Sequence, residues 1–124
     1  MSVHFVYLEQ SDPSGKPLLY DPILFDQIVA ELGAEAHQVR HLSELPQLAD
    51  KTWVFMDSRR GVELAEFDHP VDNVVYCTGA DDVGFDGHLL PKGVRVRIAT
   101  QERCAFPILV LVACDRWSRM RTWR

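Results

Sequence analysis

The 124-residue sequence lacks any apolar run long enough to cross a bilayer. The longest, residues 106–114, is broken by Pro107 and falls far short of the roughly 20 residues a spanning helix needs. Residues 1–8 lack a basic start, and His4, Glu9 and Asp12 interrupt the region, so no signal peptide, no membrane association and a cytoplasmic location are expected. Cysteine is scarce. Cys77, Cys104 and Cys114 are odd in number and show no CxxC spacing, which argues against a disulfide framework and predicts reduced core thiols. Neither GxGxxG nor GK[ST] is present, so the two commonest phosphate-binding fingerprints are excluded. His37 and His41, four apart, would suit a metal pair on a helix, but Gly33 and the β-type residues around Val39 argue for a strand. There the two share a face without an obvious third ligand, and no metal is expected.

What is present is the balance of an ordinary globular protein, with 47% hydrophobic and 25% charged residues, enough for one domain over residues 1–124. The net charge of -5 is unevenly spread. Residues 1–94 hold 6 Lys/Arg against 16 Asp/Glu, whereas residues 95–124 hold 7 Arg against 2 acids. An arginine-rich end suits phosphate or RNA, or neutralises the acidic remainder within the protein or across a dimer.

Residues 2–8 read as a buried strand. Asp21 as N-cap, Pro22 at the first helical position, an apolar face of Ile23, Phe25, Ile28, Val29 and Leu32, and Gly33 as the stop predict a helix. Strands are predicted over 36–42, 52–56, 73–77 and 94–98, with Arg95 and Arg97 on a face that is wet or paired with acids. A short helical stretch is predicted over 43–49, and 62–67 is ambiguous between short helix and edge strand. Residues 106–117 predict a last helix, buried over most of its surface, followed by a basic tail at 118–124. Trp53 and Trp117 are expected in the core, and Trp123 against a dimer partner. The alternation implies an α/β fold: a single, mostly parallel sheet flanked by helices. In such sheets ligands bind beyond the carboxyl ends of the strands, which nominates the loops 9–17, 57–61, 78–87 and 99–105.

The loop 78–87 carries the argument. Gly79 and Gly84 permit close backbone approach to a ligand, and Asp81 and Asp82 accept hydrogen bonds. Residues 69–85, HPVDNVVYCTGADDVGF, resemble the proline, apolar strand and G-x-E-x-x-G-L segment of the SPOUT superfamily of RNA methyltransferases, the knotted SpoU/TrmH-type enzymes. The strand ending at Ile98, the linker after it and the terminal helix follow a similar layout, so the resemblance covers about fifty residues by motif. It implies a C-terminal trefoil knot, an S-adenosylmethionine site lined by Thr78, Gly79, Asp81, Gly84, Ile98, Ala99 and Cys104, methyl transfer to RNA, and a homodimer. The family's catalytic arginine has no counterpart in residues 10–28, which leaves Arg59 and Arg60 as candidates for a cation facing RNA.

Two other classes stay open. One is a small flavodoxin-like nucleotide- or nucleoside-processing enzyme with Asp81, Asp82 or Glu9 as acid or base. The other is a non-catalytic relative that binds RNA or a protein through its arginine-rich end. His69 and His88 flank the loop and are candidate general bases. Cys104, beside Arg103, is a candidate nucleophile or, more simply, a buried thiol.

Overall fold

The computed structural model describes residues 2–8, 22–57, 59–79, 85, 90–98 and 105–121. Among them are six strands, β1 (Val3–Leu8), β2 (Glu35–Val39), β3 (Thr52–Asp57), β4 (Val62–Glu63), β5 (Val74–Thr78) and β6 (Gly93–Arg97), and two α-helices, α1 (Pro22–Glu31) and α2 (Ala105–Arg121). The strands form one sheet in the order β2-β1-β5-β3-β6-β4, and every pairing is parallel. The fold is therefore α/β, as expected, with a fully parallel sheet. Setting aside the two-residue β4, the first strand lies second in the sheet and the central place belongs to β5. No helix among the described residues is long and apolar enough to cross a membrane.

Strands in the middle of a parallel sheet are covered on both faces, and β1 and β5 accordingly read as continuous apolar runs that are buried throughout. Alternation along the strands separates two cores. On one face Phe5, Tyr7, Val54, Met56 and Tyr76 pack with Val29 of α1 and with Leu109, Val112 and Ala113 of α2. On the other, Val6, Leu8, Trp53, Phe55, Val75 and Cys77 pack with Leu45 and Leu48, which sit in short 3-10 turns. The Trp53 indole N–H donates to the Leu48 carbonyl at 3.0 Å and pins that turn to the sheet. Both described helices thus lie on a single face, which corrects the expectation of a sheet flanked by helices. The opposite face is closed by turns, by Phe85 and by Leu90.

The connections obey one crossover hand. Those running toward the β2 edge, through α1 and through residues 64–73, cross the helical face. Those running toward the β4 edge, through the turns at 42–48 and past Phe85 and Leu90, cross the other. Two glycines make the tight points. Gly33, at φ 61°, ends α1, with its N–H on the Ala30 carbonyl and the Ala34 N–H on the Val29 carbonyl, a Schellman stop. Gly61, at φ 109°, lets the turn after β3 pass against the backbone of β6, where a Cβ would lie 2.1 Å from the Arg95 carbonyl oxygen.

Other expectations need correction. The second strand is shorter, Glu35–Val39, because the chain turns at His41 into two 3-10 turns instead of the short helix expected over 43–49. The ambiguous stretch is both things in succession: β4, then a 3-10 turn at Leu64–Glu66. The last helix runs on to Arg121, so residues 118–121 are helical and not a tail. It is buried along one stripe only, leaving Leu111 and Trp117 exposed together with Cys114. Trp117 and Cys114 are therefore surface residues, whereas Trp53 and Cys77 are core, and burial pushes the Cys77 thiol pKa up. The Asp21 cap, residues 122–124 and the loop segments in which a knot would be tied lie outside the described residues.

Candidate functional site

At the carboxyl end of the sheet the chain leaves β1 toward the β2 edge and leaves its neighbour β5 toward β6, so the two outgoing connections diverge. Such a divergence opens a crevice between the strand ends, the usual binding place in an open α/β sheet. Tyr7 stands opposite Thr78 there. Thr78 and Gly79 are buried, and the Thr78 hydroxyl donates to the Gly79 carbonyl at 3.1 Å, which orients the start of the loop. Ile98 lies beyond the end of β6, held by its N–H on the Asp57 carbonyl at 3.0 Å, so β3 stands between it and the Thr78–Gly79 corner. Asp81, Gly84, Ala99 and Cys104, with Glu9, Asp82 and His88, lie outside the described residues.

Arg59 and Arg60 are exposed in the turn after β3, at the same end of the sheet. Beneath them the Asp57 carboxylate accepts from the Arg59 backbone N–H at 2.8 Å and from the Arg95 guanidinium at 2.7 Å. Burial opposes its ionisation, but these two donors, with the Arg60 backbone N–H, outweigh burial and hold its carboxyl below the ordinary range. Arg95 also faces the Phe85 ring, 5.7 Å from its centroid. The alternating arginines of β6 are paired with acids, Arg95 with Asp57 and Arg97 with Glu63, which is the intramolecular neutralisation the charge asymmetry suggested.

His69, a candidate general base, belongs elsewhere. It precedes β5, points into the helical face, and its side chain is 1% exposed. Arg116 donates to the Tyr76 hydroxyl at 3.0 Å, so that hydroxyl gives its proton to His69 Nδ1 at 2.7 Å, and His69 Nε2–H donates to Asp115 at 2.6 Å. Arg116 also donates to the carbonyls of Pro70 and Val71, and Arg119 to Asp115 and Leu64. Burial is the main reason the His69 pKa is lowered, outweighing the pull of Asp115, and burial likewise raises that of Tyr76. A buried histidine with both nitrogens engaged by the protein serves as a docking element for α2 and not as a base for a ligand.

His37 and His41 do not meet as a pair. His41 opens a 3-10 turn, and the partner of His37 is His4 on the adjacent strand, with Glu35 beside both. The β1–β2 register thus brings His4, Glu35 and His37 together, a grouping that the spacing of His37 and His41 does not show. The available signal was Glu35-Ala36-His37, whose alternate positions share one face of a strand. Comparison of the chain with family models, with curated proteins and with solved structures returns no match.

Proposed function

We propose that the chain is a SPOUT-type, S-adenosylmethionine-dependent RNA methyltransferase whose methyl donor binds at the carboxyl ends of β1 and β5. The observation that carries this reading is the divergence of the two connections beside buried Thr78 and Gly79, in the motif that resembles the family's donor loop. A glycine at that corner lets a ligand approach the backbone without meeting a side chain. The bound donor supplies an activated methyl group, and the role left to the protein is orientation of the acceptor against it. Arg59 and Arg60, exposed at the same end, suit RNA phosphate. The arrangement of the last three elements also supports the reading: β5 is central, β6 lies beyond β3, and α2 returns across the sheet to pack on β5 and β1. A homodimer would cover the exposed Leu111 and Trp117 of α2, the latter lining a shallow groove with Cys114, Ile28 and Glu31.

Calorimetric titration with S-adenosylmethionine tests the donor site. Saturable heat is expected from the wild type and its loss from Gly79→Val and Gly84→Val, with circular dichroism confirming that the variants fold. An absence of saturable heat at high micromolar donor overturns the proposal. The double variant Arg59→Ala/Arg60→Ala is expected to keep donor affinity and to lose binding to labelled RNA, with a shallower salt dependence.

A further inference from the structure

We propose that His4, Glu35 and His37 form a zinc-binding site at the amino end of β1 and β2, on the sheet face opposite the two described helices and separate from the methyl-donor corner. The parallel register sets His4 opposite Glu35, and His37 follows two residues on, so the three side chains leave the same face of two paired strands. Their ligating atoms converge. His4 Nδ1 lies 3.0 Å from His37 Nε2 and 3.3 Å from Glu35 Oε2, and His37 Nε2 lies 3.8 Å from that oxygen. A triangle of those sides has a centre about 2.0 Å from every corner, the bond length of zinc to imidazole nitrogen or carboxylate oxygen.

Two imidazoles and one carboxylate suit zinc or a neighbouring transition ion and not magnesium or calcium, which take oxygen ligands. The set also has a second layer. His4 Nε2 is 2.8 Å from Ser2 Oγ; with its N–H donated there, the Nδ1 lone pair is left for the metal, the outer-shell arrangement usual for ligating histidines. The two rings stack at 5.3 Å between centroids and 26° between planes, which holds the nitrogens in place. Of the other neighbours, the Lys51 ammonium is engaged by Asn73 Oδ1 at 3.2 Å, and Asp72 accepts from the Ser2 and Asn73 N–H groups. His4 is buried on a central strand while the Glu35 side chain is 68% exposed, so a three-ligand ion keeps a solvent-facing fourth position for water. That is the donor set of two histidines and one carboxylate with an open position, in which zinc lowers the pKa of bound water.

Without an ion, the two rings share a single proton and Glu35 has no need to close the triangle. The two cases separate by titrating untagged, EDTA-treated full-length protein with zinc chloride, with magnesium chloride as the comparison. One zinc per chain and no response to magnesium are expected. Glu35→Gln and His37→Gln should each weaken zinc binding at least about ten-fold, and His41→Gln should leave it unchanged. Cobalt(II) should give visible bands of the intensity typical of four- or five-coordinate sites, absent in His37→Gln. Should His37→Gln unfold, Glu35→Gln carries the test, because its side chain stands mostly in water. No zinc uptake at tens of micromolar, or undiminished uptake in Glu35→Gln, overturns the proposal and leaves the triad a hydrogen-bonded cluster.

Discussion

Two histidine clusters occupy opposite faces of one sheet and differ in how their lone pairs are used. Around His69 each polar atom has a complementary partner: Arg116 gives to Tyr76, Tyr76 to His69, His69 to Asp115, and Arg119 closes on the same carboxylate. Around His4 and His37, two ring nitrogens and a carboxylate oxygen lie 3.0–3.8 Å from one another, with only one proton required between the rings. A network of alternating donors and acceptors is complete by itself and serves to dock α2. A close group of two ring nitrogens and a carboxylate oxygen leaves more lone pairs than one proton satisfies, and the proposed zinc ion would take them up.

Breaking the complete network should have the largest effect. Arg116→Ala removes three charge-assisted donations and strands two carbonyls, so a loss of about 3–4 kcal/mol in denaturant unfolding is expected. A loss below about 1 kcal/mol would mean that the helix is held by its apolar stripe alone. Loading the other cluster should act in the opposite direction. Zinc at a hundred times its dissociation constant should stabilise the wild type by about 2.7 kcal/mol, read as a rise in Tm that Glu35→Gln abolishes.

A smaller effect follows from the neutrality of His69. Its folded pKa lies below the ordinary 6.5, so between the two values the unfolded chain binds more protons. The stability it contributes is full above about pH 6.5 and is lost as pH falls through the folded pKa. His69→Phe should cost about 1–2 kcal/mol at about pH 7.5, since Tyr76 keeps Arg116 and Asp115 keeps Arg119, and it should flatten the acid slope of stability. An unchanged slope between about pH 7.5 and pH 5 would show that His69 binds its proton equally well in the folded and unfolded chain, whereas a slope changed in the opposite sense would show it charged in the fold. Smallest of all, His41→Gln should shift stability by less than about 1 kcal/mol, since His41 is exposed and caps only the three-residue 3-10 turn at Leu42–Glu44.

Much of the local structure is legible in the sequence because its causes are local. Pro22 and Gly33 bracket α1, and the apolar runs of β1, β3 and β5 declare strands covered on both faces. Arg95 and Arg97 announce by their alternation that they can meet acids, and they do. The errors share one origin. The last helix reads as apolar nearly all round, and only its packing decides that Leu109 and Val112 go inward while Leu111 and Trp117 stay out. His69 looks like a base because it flanks the loop 78–87 in the sequence; the Asp115 that engages it comes from a helix forty-six positions away, and its burial keeps it neutral. Spacing matches His37 to His41, whereas its true neighbour is set by strand pairing.

The sequence alone determined that this is an α/β chain with buried parallel-type strands, a helix stopped at Gly33 and no apolar run long enough for a membrane-spanning helix, because periodicity, stop signals and run length are properties of neighbouring residues. Tertiary structure decided which strands stand side by side, that both described helices cover one face, and that His4 meets Glu35 and His37. Those outcomes rest on register between segments some thirty residues apart, where a slip of one residue would turn His4 to the opposite face and dissolve the site.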